Sequence, residues 1–183
     1  MIKPIYVYGS PVLRKVANEI PEDYPNLKQL VEDMFETMYH SEGVGLAAPQ
    51  IGLSIRLFVI DASPFAEDEP ELEGFKRVYI NPKIIERTGD SVQFNEGCLS
   101  IPNIREDVDR PDSVTIEYYD ENFQLKTESY EGIVARIVQH EFDHLEGILF
   151  TDKVSPIRRQ MLKSKLLAIA KGKVSVAYRT VVA

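Results

Sequence analysis

At 183 residues, 44% apolar and 27% charged, the chain has the proportions of one globular domain, expected to span residues 1–183. No apolar run approaches the roughly 20 residues that cross a bilayer, no signal- or transit-peptide pattern opens the sequence, and a single cysteine excludes an internal disulfide. A cytoplasmic protein with neither a membrane nor DNA as partner is therefore expected. The formal net charge of −8 is unevenly spread, since nothing acidic follows Asp152 while eight basic residues lie between Lys153 and Arg179. The first 152 residues then carry 13 basic against 29 acidic side chains. A basic tail on an acidic body is either a solvated helix face or a docking element for a polyanion such as ribosomal RNA.

Taken in chain order, apolar residues at Leu30, Val31, Met34, Phe35, Met38 and Tyr39 predict a helix from about Leu27 to His40, ended before Gly43 and Gly45. His40 reads as a last-turn residue facing the helix dipole, not as a ligand. Residues 55–61 predict a buried strand and 62–74 an acidic, proline-containing loop. The strand-like stretch 78–86 is interrupted by Asn81-Pro82, which implies an edge or a bend. Residues 113–119 alternate as a half-buried strand does, Asp120-Glu121-Asn122 turns the chain, and 124–130 returns as the hairpin partner. The period then changes: Ile133, Val134, Ile137, Val138 and Phe142 predict a helix over 132–145, with Gly147 as its stop. Ser155 before Pro156 opens a last helix that runs to Ala170 and ends at Gly172. Val174, Val176, Tyr178 and Val181 suggest a short terminal strand. Strands followed by a central helix give an α+β fold with a mostly antiparallel sheet.

Within the predicted 132–145 helix, His140-Glu141-Phe142-Asp143-His144 places two imidazoles at i and i+4, on one face, where both reach a single metal ion. Glu141 is rotated by roughly 100° from His140, so it approaches a water at the metal without ligating it. A third ligand is needed. One zinc-protease pattern continues through a glycine to a third histidine, but here Gly147 is followed by Phe150 at that place. The other takes a downstream glutamate, and none follows Asp152. Cys98 remains. A lone cysteine is often a small buried hydrophobe, yet this one sits in Asn95-Glu96-Gly97-Cys98-Leu99-Ser100, and a metal would hold it as a thiolate.

Three segments resemble the motifs of peptide deformylases, in the order and approximate spacing of that family: Gly43-Val44-Gly45-Leu46-Ala47-Ala48-Pro49-Gln50, Glu96-Gly97-Cys98-Leu99-Ser100, and Gln139-His140-Glu141-Phe142-Asp143-His144-Leu145. The resemblance implies mostly antiparallel sheets packed around a central metal-binding helix, with N-terminal and C-terminal helices. It implies removal of the formyl group from formyl-methionyl nascent peptides, with release of formate. Cys98, His140 and His144 would hold one metal ion, Fe(II) by family preference, with Zn, Ni or Co able to substitute. Glu141 would act as general acid and base. The Gln50 side chain and the Leu99 backbone N–H would stabilise the oxyanion, donors worth roughly 3–4 kcal/mol each.

For the substrate, the resemblance implies an extended peptide along Val44 and Gly45 by strand addition. The methionine pocket would have Ile133 and Ile137 on the metal-helix face and Val44 and Phe94 opposite. Arg105 would lie near the peptide path, and Arg110 would pair with Asp143 behind the ligands. The basic last helix becomes a candidate for ribosome docking. Two departures from the family pattern are the length of the 62–74 loop and the tail after Gly172, which lacks the usual helical ending.

Overall fold

The computed structural model describes residues 1–182. A five-stranded sheet organises them, built from β2 (Gly45–Ala47), β3 (Leu57–Asp61), β4 (Lys76–Cys98), β5 (Ile101–Tyr119) and β6 (Leu125–Glu131) in that spatial order. Every pairing within it is antiparallel. A second, two-stranded sheet joins β1 (Ile5–Tyr6) to β7 (Thr180–Val181) in parallel. Three α-helices complete the fold: α1 (Leu27–His40), α2 (Gly132–Leu145) and α3 (Pro156–Ala170). None is long and apolar enough to cross a membrane.

The run of consecutive apolar residues in β3 has a physical origin. Successive side chains of a strand point to opposite faces, and here both faces are covered. Phe58 and Ile60 pack with Val134, Val138 and Leu145 of α2. Leu57 and Val59 pack with Met34 and Met38 of α1. A third cluster seats Leu162, Leu166 and Ile169 of α3 on Ile101, Ile104 and Val108 of β5. Because α2 lies at the centre, its residues from Val134 to Leu145 are all buried. It ends where Gly147 takes φ 73°, and a Cβ there would lie 2.6 Å from the Arg14 carbonyl oxygen, so only glycine fits. Ser155 caps α3 by accepting the Arg158 N–H at 3.3 Å.

The helices form where periodicity predicts α1 and α2 and where the end signals predict α3. The strands differ. β3 starts at Leu57, because Ile55 is instead bridged to Asn18. β4 and β5 are 23 and 19 residues long and form one continuous hairpin, far beyond the predicted 78–86 and 113–119. Asn81-Pro82 is a bend: the register slips between Ile80 and Lys83, Asn81 takes φ 48°, and its side chain is held by the Ile20 backbone at 2.8 and 2.9 Å. The 62–74 segment is not featureless, as two short 3-10 turns (Ser63–Phe65 and Pro70–Leu72) tuck Leu72 inside. The terminal strand is shorter than its pattern, with only Thr180 and Val181 paired.

Phe58 is fully buried and stacks on Tyr79 with ring centroids 4.6 Å apart. Phe58→Ala should lower the unfolding free energy by about 3–5 kcal/mol in urea titrations. Ile157→Ala, on a side chain 74% exposed, should stay within about 0.5 kcal/mol of the parent.

Candidate metal centre and groove

The C-terminal end of β4 meets the middle of α2, and this junction brings together residues far apart in sequence. The Cys98 sulfur and ring nitrogens of His140 and His144 all lie within 4.8 Å of one another, with Cys98 Sγ 3.4 Å from His144 Nε2. Gln50, on the 3-10 turn Ala48–Ile51 that follows β2, completes the near side. Its Oε1 accepts the Ala47 N–H at 2.9 Å, so its amide nitrogen must face inward, 3.4 Å from Cys98 Sγ and 3.1 Å from Ser100 Oγ.

The donor set suits a divalent ion on chemical grounds. His140 Nδ1 donates to Glu96 Oε1 at 2.8 Å, which leaves Nε2 as its free nitrogen, the arrangement that carboxylates impose on metal-binding histidines. Beside this cluster Glu141 Oε1 is buried with no hydrogen-bond partner, a costly state for a carboxylate unless something polar is to fill the space. His144 Nδ1 is likewise buried and unpartnered. Burial pushes Glu141 up to about 7, against the opposing charge of His140.

One cavity of about 560 Å³ opens onto these groups, and Val44, Gly45, Phe94, Leu99, Arg105, Ile133 and Ile137 all line it. β2 is an edge strand of the sheet. The Val44 carbonyl already accepts the Asp61 N–H at 2.9 Å, so by strand alternation the backbone groups of Gly45 are the ones that face away from β3. Gly45 also permits the site to exist, since a Cβ on it would lie 2.6 Å from Glu141 Oε2. His40 is exposed at the end of α1 and takes no part in the cluster.

Residues 2–160 match the sequence model of the polypeptide deformylase family. A peptide deformylase of Christiangramia forsetii is 54% identical over 98% of this chain and 95% of its own length, and one of Cytophaga hutchinsonii is 46% identical over 98% and 96%. Among solved structures, a peptide deformylase from Legionella pneumophila superposes with a TM-score of 0.81 at 39% identity, covering 94% of this chain and 98% of its own. The Thermus thermophilus enzyme gives 0.82 at 40% identity, covering 94% and 100%. The chain belongs to the polypeptide deformylase family.

Behind Cys98, His140 and His144 lies a charge cluster that the sequence shows only in part. The expected Arg110–Asp143 pair forms at 2.8 Å. Its centre, however, is Glu96, a motif residue whose role the sequence alone does not show. Glu96 accepts from Arg110 at 2.6 and 3.0 Å and from Arg136 at 2.7 Å, besides His140. Burial would raise its pKa, but the His140 and Arg110 hydrogen bonds prevail and hold it well below the usual carboxylate range. Arg136 also donates to the carbonyls of Val108 at 2.8 Å and Val92 at 2.6 Å, and so ties α2 to both long strands. Its signal in the sequence is an arginine inside the apolar stripe of a buried helix, one turn before His140.

The cluster sets a stability dependence of known sign. Glu96 is depressed below its ordinary value of 4.5, so its contribution is complete above that pH and is lost as the pH falls through the lower folded value. Arg110→Met removes the guanidinium shared by two buried carboxylates, leaving Arg136 on Glu96 and Lys153 at 3.8 Å from Asp143, and should cost about 3–5 kcal/mol at pH 7 by urea unfolding. The difference from the parent should shrink as the pH is lowered and Glu96 becomes protonated.

Proposed function

We propose that this chain hydrolyses the N-formyl group of formyl-methionyl nascent peptides and releases formate, with residues 1–183 acting as one catalytic domain in the cytoplasm. The observation that carries the reading is the buried, unpartnered Glu141 oxygen beside a three-donor cluster, at the floor of an apolar groove whose rim is a free strand edge. Cys98, His140 and His144 would hold one divalent ion. A thiolate and two imidazoles suit several first-row dications, and family resemblance favours Fe(II) over Zn, Ni or Co. When bound, such an ion acidifies a water toward a pKa of about 7 and draws charge onto the formyl oxygen.

Each remaining step falls to a side chain or backbone group. Glu141, buried and with one oxygen unpartnered, accepts the proton of the attacking water and returns it to the departing amine. As the formyl carbon becomes tetrahedral, the inward-facing Gln50 amide and the Leu99 N–H donate to the oxygen that gains charge. The outward groups of Gly45 pair with the peptide backbone as an added strand. Ile133, Ile137, Val44 and Phe94 enclose the methionine side chain. Arg105, steadied by Asn95 at 2.8 and 2.9 Å, presents its guanidinium at the groove mouth to the peptide beyond methionine. Arg110 and Asp143 keep α2 in register behind the ligands.

The basic face of α3 supports docking to a ribosomal RNA surface. Arg158 is already engaged by Glu106 at 2.6 and 2.8 Å, which leaves the exposed Arg159, Lys163 and Lys165 as the contacting charges.

The test is formate release from formyl-Met-Ala-Ser by protein loaded anaerobically with Fe(II), with Glu141→Ala in parallel. The parent should turn over, and the variant should lose about 10²–10⁴-fold or more in kcat while binding the same amount of metal. Absence of formate from the metal-loaded parent would overturn the proposal.

A further inference from the structure

Leu99 and Ser100 form the two-residue connection between β4 and β5, where Cys98 pairs with Ile101. Tight hairpins of this length favour turns with positive φ at their first central residue or at both. Neither Leu99 nor Ser100 has positive φ. In β5 the register slips by residues 102–104 between the Gly97–Arg105 and Cys98–Ile101 pairs, with Asn103 at φ 66°. A connection outside the favoured turn types needs support from elsewhere.

Two hydrogen bonds from distant parts of the chain supply it. The Tyr8 N–H donates to the Ser100 carbonyl at 2.8 Å, and the Tyr178 hydroxyl donates to the Leu99 carbonyl at 2.7 Å. Tyr178 lies on the tail after Gly172, and that tail is itself anchored. Asn103 holds the Ser175 carbonyl at 3.3 Å, and the β1–β7 pairing fixes Thr180 and Val181. Val174, Val176 and Tyr178 turn inward while Ser175, Ala177 and Arg179 stay exposed, and both Val176 and Tyr178 line the groove of the metal centre. Burial pushes the Tyr178 hydroxyl up to about 12, so it stays protonated and donates throughout the working pH range.

We infer that Tyr178 is a positioning residue: by holding the Leu99 carbonyl it fixes the orientation of the Leu99 N–H toward the reacting oxygen. The inference rests on the deformylase reading and on the role given there to the Leu99 N–H. The two peptide planes that meet at the Leu99 Cα can swing about its backbone torsions. The Leu99 N–H lies in the first plane, at the end of the paired strand, and Tyr178 anchors the second through the Leu99 carbonyl, so the hinge between them is held from the tail side. An oxyanion donor acts through its preorganisation, so freedom at this hinge weakens it in the transition state while leaving ground-state binding unchanged.

The experiment compares parent, Tyr178→Phe and Tyr178→Leu for formyl-Met-Ala-Ser turnover and for thermal midpoint. Tyr178→Phe keeps the ring in its packing site and removes only the hydroxyl. Its kcat should fall by about tenfold, less than the roughly 10²–10³ that loss of an oxyanion donor itself costs, with KM and midpoint close to the parent. A purely packing role predicts parent-like kcat for Tyr178→Phe and a lowered midpoint only for Tyr178→Leu, and that result would overturn the inference. So would a Tyr178→Phe variant that raises KM at unchanged kcat. An inactive parent would instead defeat the deformylase reading, and this inference with it.

Discussion

Glu96 accepts hydrogen bonds from His140, from two nitrogens of Arg110 and from Arg136, all within 3.0 Å and all out of water. Arg110 continues to Asp143. Two carboxylates and two guanidiniums balance in charge, and the balance is what makes the arrangement tolerable, because removing either sign would leave an uncompensated charge in the interior. The geometry has a further consequence. Glu96 stands two residues before Cys98 on β4, while His140, Asp143 and Arg136 stand on α2. One cluster of ion pairs therefore sets the distance between the strand that carries Cys98 and the helix that carries His140 and His144.

The rest of the centre is arranged around that spacing. α2 is buried from Val134 onward, so it has little freedom to relax if the cluster is disturbed. Gly45 lets the edge strand pass within contact of Glu141, which sets that carboxylate against the backbone at the rim of the groove. Gln50 is oriented by the Ala47 N–H at the end of that same strand. The groove is thus walled by α2, the end of β4, the edge strand β2 and the C-terminal tail, each held by separate backbone or ionic contacts.

What could be read from the sequence divides along physical lines. The helices α1, α2 and α3 were legible because their apolar periods and end signals agree with the tertiary burial they receive. The clustering of His140 and His144 is legible because i, i+4 side chains share one helix face, and Cys98 is legible from the motif around it. Residues 87–112 were not legible as strand. In β5 the buried face alternates as Ile104, Glu106, Val108 and Arg110, so charged residues occupy inward positions and hide the period of two. Those inward charges are the ones that pair with Arg158 and with Glu96. Glu96 and Arg136 are illegible for the same reason, since a buried charge becomes intelligible only when its partner, 40 residues away, is in view. The tail had the right alternation at Val174, Val176 and Tyr178, but what it faces is decided by the turn at Leu99 and Ser100.

Metal affinity tests most directly whether the Glu96 cluster sets the geometry of the centre. Dissociation constants for Zn(II) or Co(II), measured by chelator competition on folded parent and Glu96→Gln proteins, should differ by about 10–100-fold, the usual effect of losing the carboxylate behind a metal-binding histidine. Equal affinities in the two proteins would show that the three ligands find their geometry without Glu96, and would contradict the account.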